Sequence, residues 1–196
     1  MLEITWLGHG SFHLKLESGE TLLVDPWLDN PKFPSHFPID RVDGILITHG
    51  HFDHIASVMP LAAKFEPAVV GIYEIATWLE GKGVKHTTGM NKGGTTRVGS
   101  FSATMTHALH SSSILDDGKL LYGGEAAGYV IGLPDGRTAY FAGDTTVFGD
   151  MKLIAELYRP ELAFLPIGDL YTMSPREAAM ACRMIGAAKV IPMHWG

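Results

Sequence analysis

The chain has 196 residues, 21 acidic against 15 basic side chains, a net charge of -6 and 46% hydrophobic residues. That balance excludes an intrinsically disordered chain and gives no basic footprint for nucleic acid. No run of 18 apolar residues offers a membrane span, and no basic-then-apolar leader opens the chain.

From the N-terminus, alternation predicts strands over 2–7, 11–17 and 21–24, with a turn at Ser18-Gly19-Glu20: a β-meander. Residues 25–43, with Pro26, Pro31, Pro34 and Pro38, read as loop. The apolar run 44–48 reads as a buried strand, followed by a polar loop over 49–54. Helix 56–65, strand 68–71 and helix 74–80, ended by Gly81, come next. Gly93-Gly94, Gly99 and Ser100 punctuate further short strands, among them 101–106, and Asp116-Asp117-Gly118 is a turn. Strands 128–133 and 137–142 flank Pro134-Asp135-Gly136, a hairpin signal. Helix 151–158 stops before Pro160, and strand 162–165 follows. Ser174-Pro175-Arg176-Glu177 is a capping box with proline at the first helical position. Its helix runs to about residue 185, and 189–191 is the last strand. The order predicts one α+β domain over residues 1–196, with helices packed outside sheets.

Histidine is abundant, ten in all. The informative stretch is Thr48-His49-Gly50-His51-Phe52-Asp53-His54, an H-x-H-x-D-H pattern directly after a buried strand. Neutral imidazoles and a carboxylate are good ligands for zinc and neighbouring transition metals. His49 and His51 alternate and can converge on one ion; Asp53 and His54 are offset and can serve a second. Further candidates sit just past predicted strands, at His107 and His110, at Asp144 in Ala142-Gly143-Asp144-Thr145, and at His194 in Pro192-Met193-His194-Trp195-Gly196. Taken singly, each also suits a turn, a cap or an exposed position.

In this order, Asp25, the H-x-H-x-D-H motif, His110, Asp144 and His194 resemble the metallo-β-lactamase superfamily. Trp6-Leu7-Gly8-His9-Gly10, Val24-Asp25-Pro26, Ser113-Ile114-Leu115, Leu165-Pro166-Ile167-Gly168 and the His194 motif are similar to its small, uncharacterised metal-dependent hydrolases, related to the ascorbate-phosphate lactonase branch. The resemblance implies a four-layer αββα sandwich. It assigns His49, His51 and His110 to a first metal, Asp53, His54 and His194 to a second, and Asp144 to a bridge. The family pattern places the ligand before small polar residues and an Ile-Leu pair. That selects His110 over His107, which is left behind it. Relatives with a redox di-iron centre typically carry Glu where this chain has His51, so a hydrolytic ion is expected.

The resulting expectation is a cytoplasmic hydrolase with two divalent ions, zinc first, manganese or iron next. A hydroxide bridging the ions would attack a small ester or lactone, with Asp53 and His54 in catalytic roles. A phosphodiesterase acting on a small phosphorylated metabolite is one alternative, and a non-catalytic metal sensor another. No Ser-based elbow is present. Asp25 is a candidate to fix the tautomer of a ligand histidine. His9, Thr172 and Met173, with Tyr171, are candidates to line the substrate site. Cys182 reads as a buried inert thiol, and His13, His36 and His86 as structural or exposed. The partners expected are a small-molecule substrate and a second copy, without nucleic acid or membrane. Because family members continue beyond His194, the chain reads as shortened at its C-terminus.

Overall fold

The computed structural model describes residues 1–195; Gly196, the last residue of the His194 motif, lies outside the described residues. In chain order the first strands are β1 (Leu2–Trp6), β2 (Phe12–Leu16), β3 (Thr21–Val24), β4 (Gly44–Leu46), β5 (Ala68–Ile72), β6 (Thr87–Met90) and β7 (Thr95–Val98). They are followed by β8 (Phe101–His107), β9 (Ser113–Asp116), β10 (Lys119–Tyr122), β11 (Ala127–Gly132), β12 (Thr138–Phe141), β13 (Leu162–Pro166) and β14 (Lys189–Met193). The helices are α1 (Phe52–Ile55), α2 (Val58–Phe65), α3 (Tyr73–Gly81), α4 (Met151–Tyr158) and α5 (Pro175–Ile185).

The contacts divide the chain into two compact units. The first, Met1–Asn91 with Ser112–Gly124, holds a six-stranded sheet in the order β1-β2-β3-β4-β5-β6. The meander β1-β2-β3 is antiparallel and β3 to β6 run parallel. Every residue of β3 and β4 is buried, as a strand covered on both faces requires. In α3, Ile75, Ala76 and Leu79 form a buried stripe at helical spacing. The same unit carries the β9–β10 hairpin, in register from Lys119 opposite Asp116 to Tyr122 opposite Ser113.

The second unit, Lys92–Ser111 with the chain from Glu125 onward, holds a six-stranded sheet in the order β14-β13-β12-β11-β8-β7. β7, β8, β11 and β12 are antiparallel, whereas β12, β13 and β14 are parallel. Helices α4 and α5 bury Met151, Ile154, Ala178, Ala181 and Ile185 in a cluster with Tyr140, Leu165 and Met173. Ser174 Oγ accepts from Glu177 N while the Glu177 carboxylate accepts from Ser174 N at 2.9 Å, the reciprocal cap expected from the sequence.

Differences from the expected elements are local. The strand read as 101–106 runs on to His107. The polar loop 49–54 is interrupted by α1, because His51 O accepts from both His54 N and Ile55 N. The hairpin strands were visible only as a turn, since all four residues of β10 are exposed and leave no buried face to alternate against. Cys182 is half-buried against the second unit's core. Among the described residues no helix is long and apolar enough to cross a membrane.

Two expectations concern stability. Ser174→Ala removes the α5 cap and should cost about 1 kcal/mol in urea unfolding, with Ser174→Asp largely restoring it. His13 is buried edge-to-face against Phe37, and burial lowers its pKa from the ordinary 6.5. The unfolded chain therefore takes up this proton more readily, so the contribution is present above pH 6.5 and is lost as pH falls through the lower folded value. His13→Gln should flatten that acid-side decline in urea midpoint between about pH 7.5 and 5; an unchanged slope would assign the decline to other groups.

Candidate metal centre

In the first unit the site starts from a buried carboxylate. Asp25 follows β3 in a left-handed conformation, φ +48°, and is fully buried. Its Oδ1 accepts from Thr48 N at 2.8 Å, and its Oδ2 accepts from Thr48 Oγ1 at 2.6 Å. The same Oδ2 lies 2.8 Å from His54 Nδ1. Because the Thr48 hydroxyl donates to Asp25, it accepts from His49 Nδ1 at 3.0 Å. One carboxylate thus fixes the tautomer of two histidines and directs the Nε2 lone pairs of both the other way. Burial pushes the Asp25 carboxyl above its ordinary range, and facing His54 and Thr48 offsets part of that push.

His49 Nε2 lies 3.0 Å from His51 Nδ1, with the two rings nearly perpendicular at 81°. A Cβ on the intervening Gly50 would meet Ile114 at 2.9 Å and Ser113 O at 3.0 Å, so glycine lets this loop lie against β9 without displacing it. Gly50 N donates to Ser112 Oγ, which itself donates to Gly123 O. Asp53 Oδ2 lies 2.9 Å from His9 Nε2 and 3.4 Å from His54 Nε2. Asp25, His49 and His54 bring one donor atom each to within 4.8 Å of one another.

In the second unit Asp144 follows β12 past Gly143, which has φ +65°. His194 Nε2 is 2.9 Å and His110 Nε2 is 3.8 Å from the same oxygen, Asp144 Oδ2. Asp144 is 3% and His194 6% exposed. Thr145 Oγ1 accepts from Leu109 N at 2.9 Å, and Thr146 N donates to Leu109 O, so the His110 loop is tied to the Asp144 loop. His194 sits at φ +58°, and a Cβ on Gly168 would come within 2.2 Å of His194 O.

The structure therefore brings together His9, Asp25, His49, His51, Asp53 and His54 in one unit, and His110, Asp144 and His194 in the other. His107 is not part of either group: it is exposed at the end of β8. Thr172 accepts from Gly168 N through Oγ1 and shapes the loop beside His194. Met173 is fully buried in the second unit's core, where its side chain serves packing rather than a substrate surface. Tyr171 is 72% exposed. Thr48, Ser112 and Thr145 were not assigned roles from the sequence, because a hydroxyl that orients a ligand carries no spacing signature.

The donor set itself tests whether a metal fits. Imidazole nitrogens and carboxylate oxygens converge at hydrogen-bond distances, and two of the histidines have fixed tautomers. That chemistry suits a divalent transition ion.

The β-lactamase superfamily domain matches residues 20–195. A UPF0173 metal-dependent hydrolase from Solibacter usitatus is 64% identical over 100% of this chain and 85% of its own length. A second, from Koribacter versatilis, is 50% identical over 100% of this chain and 84% of its length. Among solved structures, the metallo hydrolase Igni18 from Ignicoccus hospitalis is 32% identical, with TM-score 0.86, covering 100% of this chain and 83% of that one. The diiron β-hydroxylase CmlA from Streptomyces venezuelae, 18% identical, shares the fold with TM-score 0.77 over 98% of this chain and 44% of its own. The chain belongs to the β-lactamase superfamily, has its metallo-β-lactamase fold, and is a metal-dependent hydrolase.

Proposed function

We propose that this hydrolase acts on a small ester or lactone through a dinuclear centre. His49, His51 and His110 would hold one ion, Asp53, His54 and His194 would hold the other, and Asp144 would serve both. Two observations carry this reading: a pair of histidine nitrogens converges on one Asp144 oxygen in the second unit, and His49 and His54 have fixed tautomers in the first. Neither group alone has enough donors for two four-coordinate ions, and the reading therefore draws on both. The imidazole-rich set favours zinc, with manganese or iron following availability.

Bound divalent ions would lower the pKa of a water and polarise the substrate oxygen. The chain's own residues supply the rest. Asp25 and Thr48 keep His54 and His49 in one tautomer. Asp53, steadied by His9 Nε2 at 2.9 Å, accepts and passes on the proton of the attacking water. A small-molecule substrate, a second copy as partner and a cytoplasmic, reducing setting with one half-buried cysteine complete the proposal.

The test is a panel of aliphatic lactones, nitrophenyl esters and bis-nitrophenyl phosphate with metal-reconstituted protein. Turnover of the first two with little of the third is expected; the reverse order would transfer the reading to phosphodiesters. Elemental analysis should find two ions per chain in the parent. Asp144→Ala should lose at least one of them and nearly all activity, and retention of both would remove the bridge assignment.

The two neighbouring histidines should also separate. His110→Ala should weaken metal binding by more than about 100-fold, and His107→Ala by less than about 10-fold. Zinc content and turnover measured side by side decide this, and loss of metal in the His107 variant alone would move the ligand.

A further inference from the structure

Within the first unit an aromatic file runs from solvent to the proposed ligands. Phe52 is 63% exposed although it stands inside the H-x-H-x-D-H motif, between His51 and Asp53. Its ring meets Trp27 edge-on at 5.4 Å and 74°. Trp27 in turn meets His9 at 5.4 Å and 86°, and His9 stands 6.1 Å from the His54 ring. His9 Nε2 is also 2.9 Å from Asp53 Oδ2, so the inner end of the file touches the proton-handling carboxylate.

The file is held in place before any ligand arrives. Trp27 N donates to Ser11 Oγ at 3.0 Å, and Leu28 N donates to Ser57 Oγ at 2.8 Å. Ser57 N donates to Pro26 O, and Asn30 Nδ2 donates to Leu7 O. A Cβ on Gly8 would come within 2.1 Å of Asn30 Oδ1, so the loops carrying His9 and Trp27 interlock. His9 itself is held at φ +51°, a costly conformation for a non-glycine residue that its surroundings must enforce. An exposed phenyl ring beside reacting groups, backed by a fixed indole, is an apolar contact surface.

We infer that Phe52 and Trp27 form a shelf that binds the apolar, preferably aromatic, part of the substrate beside Asp53. This specifies the substrate class and rests on the ester or lactone reading above. Edge-to-face contacts favour a flat ring over an alkyl chain, and burial of the exposed Phe52 face adds to the preference. The shelf therefore acts on KM more than on kcat, since it touches the part of the substrate that does not react.

The experiment compares dihydrocoumarin with δ-valerolactone on the metal-loaded full chain. It also measures binding of 3-(2-hydroxyphenyl)propanoate, the product of the first, by calorimetry and by quenching of tryptophan fluorescence. The parent should prefer the aryl lactone in KM by about 10-fold, and Phe52→Ala should reduce that preference and the product affinity by about 5- to 10-fold. Trp27→Phe should keep part of the preference while losing part of the quenching. Phe52→Leu should fall between Phe52→Ala and the parent. Leu157→Ala, an exposed change in the second unit, should alter neither readout. Equal effects of Phe52→Ala on both lactones, or unchanged product affinity, would overturn the shelf. If neither lactone is hydrolysed while the product still binds in a Phe52-dependent way, the ester reading fails and the shelf stands.

Discussion

One buried carboxylate sets the geometry of the histidine group in the first unit. Asp25 is removed from water, and among the described residues its carboxylate meets the Thr48 amide, the Thr48 hydroxyl and His54 Nδ1. A buried acceptor with that few partners cannot exchange one for another without leaving an orphaned charge, which is expensive in a dry interior. The hydroxyl must donate to Asp25, so it must accept from His49. Two imidazoles then present their Nε2 atoms by necessity. The polar network behind the histidines thus does what a metal alone does poorly: it orders ligands before the ion arrives, which lowers the entropy cost of assembly.

Three of the seven described non-glycine residues in the left-handed region lie at these groups. Asp25 at φ +48°, His9 at +51° and His194 at +58° all occupy the left-handed region without being glycine. Each such residue costs on the order of 1–3 kcal/mol and persists only where its surroundings over-determine it. All three follow or precede a strand end and all three present a side chain of the proposed site. Glycines allow close packing beside two of them: Gly8 lies against Asn30, and Gly168 lies against the His194 carbonyl. Sheets supply rigid strand ends, and strained single residues then aim the side chains.

These facts explain what the sequence made legible. Buried parallel strands such as β3, β4 and β13 read as apolar runs, and the reciprocal Ser174–Glu177 cap reads as a spaced pair, because each has a periodic or fixed-offset signal. The H-x-H-x-D-H motif is legible for the same reason: its ligands are close together in the chain. The roles of Thr48, Ser112 and Thr145 were not legible, since each depends on a partner 23, 62 or 36 residues away. Met173 misled because its position before a capped helix resembles a site loop, whereas its side chain turns into the core. The β9–β10 hairpin was hidden because an exposed strand has no burial pattern to reveal it.

The shared fold does not by itself choose the chemistry, since a diiron β-hydroxylase is built on the same scaffold. The choice lies in the donors and in what surrounds them. In this chain an imidazole, His51, stands next to His49 Nε2 at 3.0 Å, and neutral nitrogen donors dominate the first unit's group. A neutral ligand leaves more positive charge on the ion than a carboxylate does, which strengthens Lewis acidity and lowers the pKa of nearby water. A carboxylate at that position would instead spread charge and favour higher oxidation states. The electrostatics of the His49–Gly50–His51 turn therefore favour hydrolysis. The turn also packs tightly under β9, where a Cβ at its central Gly50 would force Ile114 and the Ser113 backbone to shift.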